Sequence, residues 1–173
     1  CLAQSTVDLV LSPARMKGDG IFSHRLFDDE LVLVTPLNHP LAGRTDAAAD
    51  DLMNEEYLTY SFQVQPGFEY EKLFQPAGVF PPSATVVENI PAILEMISAG
   101  QGISIMSRWA VRHAARRNAV VLTGLPKPLT ITWQALTRRK YVPVQSFDIG
   151  MTFRLLADEF KGCPGEVTGY DKA

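Results

Sequence analysis

Apolar residues recur along this chain in two rhythms. Val7-Asp8-Leu9-Val10-Leu11 is a short, nearly continuous apolar run closed by Ser12-Pro13, the pattern of a strand buried on both faces. Residues 30–35 repeat it and stop at Pro36, with Lys17-Gly18-Asp19-Gly20 as a turn between the two. An Ala/Asp-rich link over 44–51 leads into a short helix, and residues 57–60, 85–87, 103–106 and 120–122 read as further strands. Helical spacing appears after Pro66, where Tyr70, Leu73, Phe74 and Ala77 fall at i, i+3, i+4 and i+7 before Gly78. Asn89 is placed to cap a second helix with Pro91 in its first turn, a buried stripe of Ile90, Ile93, Leu94 and Ile97, and Gly100 at its end. Ser107 caps a third over 108–117. From Leu129 to Thr137 the residues alternate between two faces, as in a strand, and Pro143 opens a long helix carrying Ile149, Phe153, Leu156 and Phe160. Strands alternate with helices throughout, which predicts an α/β fold with a mainly parallel sheet.

Composition narrows the class. In 173 residues, 46% are hydrophobic and 20% charged, enough apolar material for a real core. No run approaches the roughly 18 apolar residues of a membrane-spanning helix. Sixteen basic residues against nineteen acidic ones leave a net charge of −3, without the positive field that direct nucleic-acid binding uses. Cys1 and Cys163 stand near opposite ends in no ligand spacing, so a reduced compartment is the simpler reading, with a terminal disulfide as the alternative.

Catalytic signatures are absent. Gly100-Gln101-Gly102 begins like a dinucleotide fingerprint but follows a helix and enters a strand, the reverse of the required order. No phosphate-binding loop, nucleophile elbow or zinc motif occurs, and His24, His39 and His113 share no ligand spacing. No catalytic residue, cofactor or metal is expected. The acidic groups Asp28-Asp29-Glu30, Asp50-Asp51 and Glu55-Glu56 read as solvated charge, as does the basic stripe of Arg108, Arg112 and Arg116; Arg138-Arg139-Lys140 is a second basic cluster. What remains is polar residues at element ends. Ser12, Ser61 and Gln63 follow strands, and Asn89 and Ser107 precede helices. In α/β sheets such ends share a crevice in which helix amides hold carboxylates, which points to a small-molecule cleft.

The order of segments also resembles a known family. Leu2 to Ser12, then Phe27-Asp28-Asp29-Glu30-Leu31-Val32-Leu33-Val34 with Asn38-His39-Pro40-Leu41-Ala42, then Val87-Glu88-Asn89, and finally Ala99-Gly100-Gln101-Gly102-Ile103-Ser104-Ile105-Met106-Ser107 are similar to the effector domain of LysR-type transcriptional regulators. Ser107 stands near where the family often has proline. The segment Phe74-Gln75-Pro76-Ala77-Gly78-Val79, with Val87-Glu88-Asn89 and Ser107-Arg108-Trp109, further resembles the MetR-like subgroup that regulates methionine biosynthesis, whose effector is homocysteine.

The resemblance implies a type II periplasmic-binding-protein fold, two α/β lobes joined by two crossing strands. Lobe I would comprise 1–40 and 129–161, lobe II 41–128, and 162–173 a tail. Against the family pattern, an initial βαβ portion of lobe I and the winged helix-turn-helix are not seen, so DNA would be reached only through that absent region. The implied site takes Ser12 and Pro13 from lobe I, and Ser61, Gln63, Gln65, Asn89, Ile90, Gly102, Ile103 and Ser104 from lobe II. The implied protein is a cytoplasmic homodimer or homotetramer that senses a small carboxylate or amino-acid-like metabolite, is not an enzyme and does not enter a membrane. A transporter's solute-binding protein of the same fold is the alternative.

Overall fold

The computed structural model describes residues 9–13, 20–61 and 67–138. The start of the first strand, the 17–19 part of the turn, Gln63, Gln65, Arg139, Lys140, both cysteines, the final helix and the tail lie outside the described residues. Within them the order is β1 (Leu9–Ser12), β2 (Ile21–Thr35), a 3₁₀ turn (Ala49–Leu52), β3 (Glu56–Thr59), a π-helical turn (Tyr70–Phe74) continuing into α1 (Gln75–Ala77), β4 (Ser83–Val86), α2 (Ile90–Ser98), β5 (Ser104–Ser107), α3 (Arg108–Arg116), β6 (Val121–Thr123) and β7 (Leu129–Arg138). The chain divides into two compact units, one of Cys1–Asp29 with Thr132–Ala173 and one of Glu30–Ile131. The divisions fall inside β2 and inside β7.

In the Glu30–Ile131 unit, β2 lies at the centre because both its faces are apolar. Leu31 and Leu33 face a core with Tyr57, Phe74, Ile103 and Ile105, while Val32 and Val34 face a second with Leu58, Ile93, Ile97 and Val111. Burial of both faces explains the unbroken Leu31–Val34 run, each residue of which is at most 1% exposed. The expectation of a mainly parallel sheet fails here. β2 pairs antiparallel with β5, from Leu31 opposite Ser107 to Val34 opposite Ser104, and antiparallel with β6. A doubly covered antiparallel strand shows the same unbroken apolar run as a parallel one, so the pattern alone does not separate them. Parallel pairing occurs between β3 and β4 and at a bridge between Tyr57 and Ile103, which joins β3 to the start of β5.

That join depends on Gly102. A Cβ there would stand 2.5 Å from the Glu56 carbonyl oxygen, and the residue's φ is +156°. Only glycine lets the two backbones approach while Ile103 donates its N–H to Glu56 at 2.9 Å and accepts from Leu58 at 2.8 Å.

The helices end as their sequences require. Asn89 accepts from the Ala92 amide at 3.4 Å and Ser107 from Ala110 at 3.2 Å. The π-helical turn lies just before Pro76, which has no N–H to continue the ladder, and Gly78 closes α1 in the left-handed region.

In the other unit, β1 pairs antiparallel with β7, from Leu9 opposite Thr137 to Ser12 opposite Gln134. β1 is half-buried along its length, not covered on both faces as expected. The acidic triplet is likewise not solvated. Asp29 is 3% exposed and accepts the Trp133 indole N–H at 3.1 Å, with Trp133 stacked on Phe27 at 6.2 Å. Asp28 accepts from Thr132 at 2.8 Å and pairs with Arg25. Glu30, in the neighbouring unit, receives both the Nε and Nη2 of Arg108 at 3.2 and 3.0 Å. These acids sit on a strand that tertiary packing covers, so each takes a donor where exposed ones would take water.

Replacing Gly102 with alanine is expected to destabilise the protein by about 2 kcal/mol or more. Denaturant unfolding checks this, and an unchanged midpoint would show that the β3–β5 join relaxes freely.

Candidate functional site

β3 and β4 run in parallel and finish together, Leu58 opposite Thr85 and Thr59 opposite Val86. Just beyond them the chain stays knotted by hydrogen bonds. The Val87 amide donates to the Thr59 carbonyl at 2.8 Å, Asn89 donates to Val87 at 2.7 Å, and the Thr59 hydroxyl donates to the Ser61 carbonyl at 3.1 Å. Ser61 and Asn89 are thereby held at one carboxyl edge, with the amino end of α2 opening from Asn89. A helix amino end carries a partial positive charge and unsatisfied first-turn amides, which favour an anionic group.

The other expected residues of this unit divide. Ile90 opens α2 at this edge but does not belong to a buried stripe: it is 37% exposed, and the cluster around Leu58, Ile93 and Ile97 does not include it. Gly102 lies beside Glu56, at the amino end of β3 and so at the opposite end from Ser61. Ile103 is fully buried, and Ser104, 2% exposed, donates its hydroxyl to the Leu58 carbonyl at 2.7 Å. These two hold β5 to β3. Ser12 ends β1 in the other unit, followed by Pro13.

Around Tyr57 of β3 the fold assembles a group that no motif announced. Tyr57 is 1% exposed, packs edge-on against Phe74 and Phe80 at 5.6 and 6.2 Å, and donates its hydroxyl to Glu69 at 3.4 Å. Burial pushes the Tyr57 hydroxyl well above its ordinary value, with the nearby Glu69 charge adding to it. Burial, and then the Glu69 charge, push Tyr60 up to about 12. Burial raises the Glu69 carboxyl, opposed by hydrogen bonds from its own backbone and from Tyr57. Glu69 lies far from Tyr57 in spacing terms and matches no template, so only the packed structure discloses it.

At the opposite end, Glu56 accepts the hydroxyls of Ser83 and Thr85, which hold its carboxyl below the usual range.

The description of the LysR substrate binding domain matches residues 2–146. The chain belongs to this family. It is 33% identical over 128 residues to the HTH-type transcriptional regulator MetR of Escherichia coli K12, a match covering 74% of this chain and 40% of that regulator. It is similar in structure to the regulatory domain of MetR from N. meningitidis, at 23% identity and a TM-score of 0.71, covering 95% of this chain and 78% of that one. The effector binding domain of QuiR, solved in complex with shikimate, aligns at 20% identity with a TM-score of 0.67, covering 94% and 77% of the two chains. The fold is thus that of LysR regulatory domains, type II periplasmic-binding-protein-like. The chain spans about two-fifths of the length of the curated relatives named MetR.

Several charged residues of this LysR domain serve the scaffold. His39 faces Glu55 through Nε2 at 3.2 Å, and its Nδ1 accepts the Leu41 amide at 3.2 Å, which places the ring proton on Nε2 as donor to Glu55. Asp51 accepts the Ala48 amide at 2.8 Å and pairs with Arg44 at 3.4 Å. The Arg108–Arg112–Arg116 stripe is only partly solvated, since Arg108 holds Glu30 and Arg112 donates to the Trp109 carbonyl at 2.6 Å while lying 4.9 Å from its ring. Among the described residues no three of His, Cys, Asp and Glu stand together as a metal site, and no helix is long and apolar enough to cross a membrane.

The raised Glu69 carboxyl fixes the sign of a pH effect. Its folded pKa exceeds the unfolded one, so its charged form opposes folding, and stability falls as pH rises from the ordinary glutamate value through the folded one. Glu69→Gln, which keeps an acceptor for Tyr57, is expected to melt above the wild type at neutral pH. The difference should vanish below the ordinary glutamate pKa, and a variant that melts lower at neutral pH in a calorimetric scan would contradict this.

Proposed function

We propose that this chain is the effector-sensing part of a LysR-type transcriptional regulator. It takes up a small carboxylate-bearing, amino-acid-like metabolite, and its occupancy is transmitted to a DNA-reading region elsewhere in the protein. The observation that carries the reading is the carboxyl edge of the parallel β3–β4 pair, where Ser61, Asn89 and the amino end of α2 converge. Such an edge offers oriented amides and hydroxyls to a carboxylate, while the exposed Ile90 side chain offers an apolar contact. Gln63 and Gln65 belong to the same proposed set.

Support comes from the names of its relatives. The Escherichia coli relative is an HTH-type transcriptional regulator, and the QuiR domain holds shikimate, itself a carboxylate. From the similarity to MetR we assign homocysteine as the effector, a homodimer or homotetramer as the working assembly and the cytoplasm as its place. Binding acts by favouring one conformation over another, since a ligand shifts an equilibrium only through its differential affinity for the states. The protein performs no chemistry on its ligand.

Titrating the full-length regulator with homocysteine and related thiols is expected to give saturable heat and a raised melting temperature. No heat and no thermal shift with any of these thiols would overturn the homocysteine assignment.

A further inference from the structure

Helix α3 carries charge that neither the scaffold nor the effector edge uses. Between Glu95 and Asp148 the sequence has eight basic residues and no acidic one, although the whole chain has a net charge of −3. Val111 packs into the core around Leu58, Ile93 and Ile97, and His113, Arg116 and Arg117 lie exposed on the opposite face of the helix. Among the described residues neither Arg116 nor Arg117 joins an ion pair, whereas Arg25, Arg44 and Arg108 each hold a carboxylate. Capping does not occupy the two guanidiniums either. The carbonyls at the end of α3, those of His113, Ala114 and Ala115, accept the backbone amides of Arg117, Ala119 and Asn118. The negative end of the helix dipole favours a cation in the last turn. Like charges four apart, as Arg112 and Arg116 are, nevertheless repel one another, and no acid is interspersed to offset them.

We propose that the exposed carboxyl end of α3 touches the phosphate backbone of duplex DNA, through Arg116 and Arg117 with His113 beside them. The inference rests on the regulator reading above, which brings DNA to the protein, and it adds a sequence-independent contact from this chain to that of the DNA-reading region. The acidic total does not oppose it, because at physiological salt charges more than about 8 Å away are largely screened and the local field governs. The planar fork of a guanidinium matches phosphate oxygens. A protein partner would need an apolar anchor. The exposed large apolar side chains among the described residues are Phe22, Leu37, Phe80 and Ile90, and none of them lies on α3 or after it. A phosphate backbone needs no such anchor, since its contacts position a protein without reading sequence.

The test measures binding of the full-length regulator to a long random-sequence DNA duplex by fluorescence anisotropy over a series of salt concentrations. Each neutralised phosphate adds about 0.9 to the slope of log affinity against log salt. The double variant Arg116→Ala, Arg117→Ala is therefore expected to flatten that slope by about 1.8 for each protomer in contact and to bind about ten-fold or more weakly at low salt. Arg116→Lys, Arg117→Lys keeps both charges and should keep the slope. Arg116→Gln, Arg117→Gln, which keeps side-chain length, repeats the alanine result should alanine disturb the helix. Neutral variants that bind with the wild-type slope overturn the inference and spare the regulator reading, since the DNA-reading region still binds. A wild type that binds no DNA at low salt overturns both. Neutral variants that keep the slope on DNA but lose binding to poly-L-glutamate show a face made for an acidic protein, and this too overturns the inference.

Discussion

The approach of β5 to β3 at Gly102 is the constraint on which the Glu30–Ile131 unit turns. With the Glu56 carbonyl where a Cβ would sit, the backbones lie close enough for Ile103 to bond on both sides, to Glu56 and to Leu58. That contact connects the parallel β3–β4 pair to β5, and β5 in turn pairs with β2. Its consequence is a layer whose alternate residues face two cores: Tyr57 and Ile103 on one side, Leu58 and Met106 on the other. Helix α2 lies against the second core through Ile93 and Ile97, and this fixes where its amino end emerges. The candidate effector edge is thus an outcome of strand pairing at the other end of β3.

Charged residues follow the same packing. Asp29 and Glu30 are neighbours on β2, yet one is buried against an indole N–H and the other is held by a guanidinium from the start of α3. In each case a donor supplied by another element replaces the water lost on folding. Glu69 takes the Tyr57 hydroxyl at 3.4 Å in a half-buried position, where burial raises its carboxyl against the pull of that bond and of its own backbone.

Much of the local structure was legible because its causes are local. Residue type and position alone mark Asn89 and Ser107 as caps, and both accept the amide three residues on. Pro91, Gly78 and Gly100 marked helix ends for stereochemical reasons that need no tertiary partner. Pairing direction was not legible, because the unbroken run at Leu31–Val34 reports burial on two faces and burial is blind to direction. For the same reason the acidic triplet at 28–30 read as solvated, since its partners Thr132, Trp133 and Arg108 lie far along the chain. The family resemblance implies a ligand-facing stretch from Gly102 to Ser104, whereas in the fold its glycine and its serine hydroxyl serve the join between strands.

The sequence by itself determined the α/β character, the caps and breaks of the helices, the order of segments that marks a LysR regulatory domain, and the polar residues at strand ends. These depend on backbone stereochemistry and on periodicities of a few residues. Only the tertiary structure decided which strand ends share an edge, which glycine permits a close approach, and which carboxylates meet a donor. The gathering of Tyr57, Tyr60 and Glu69 is of that second kind. Burial and distance between residues remote in the chain are properties of the packed whole, and desolvation changes what a carboxylate can bind without changing anything in the letters around it.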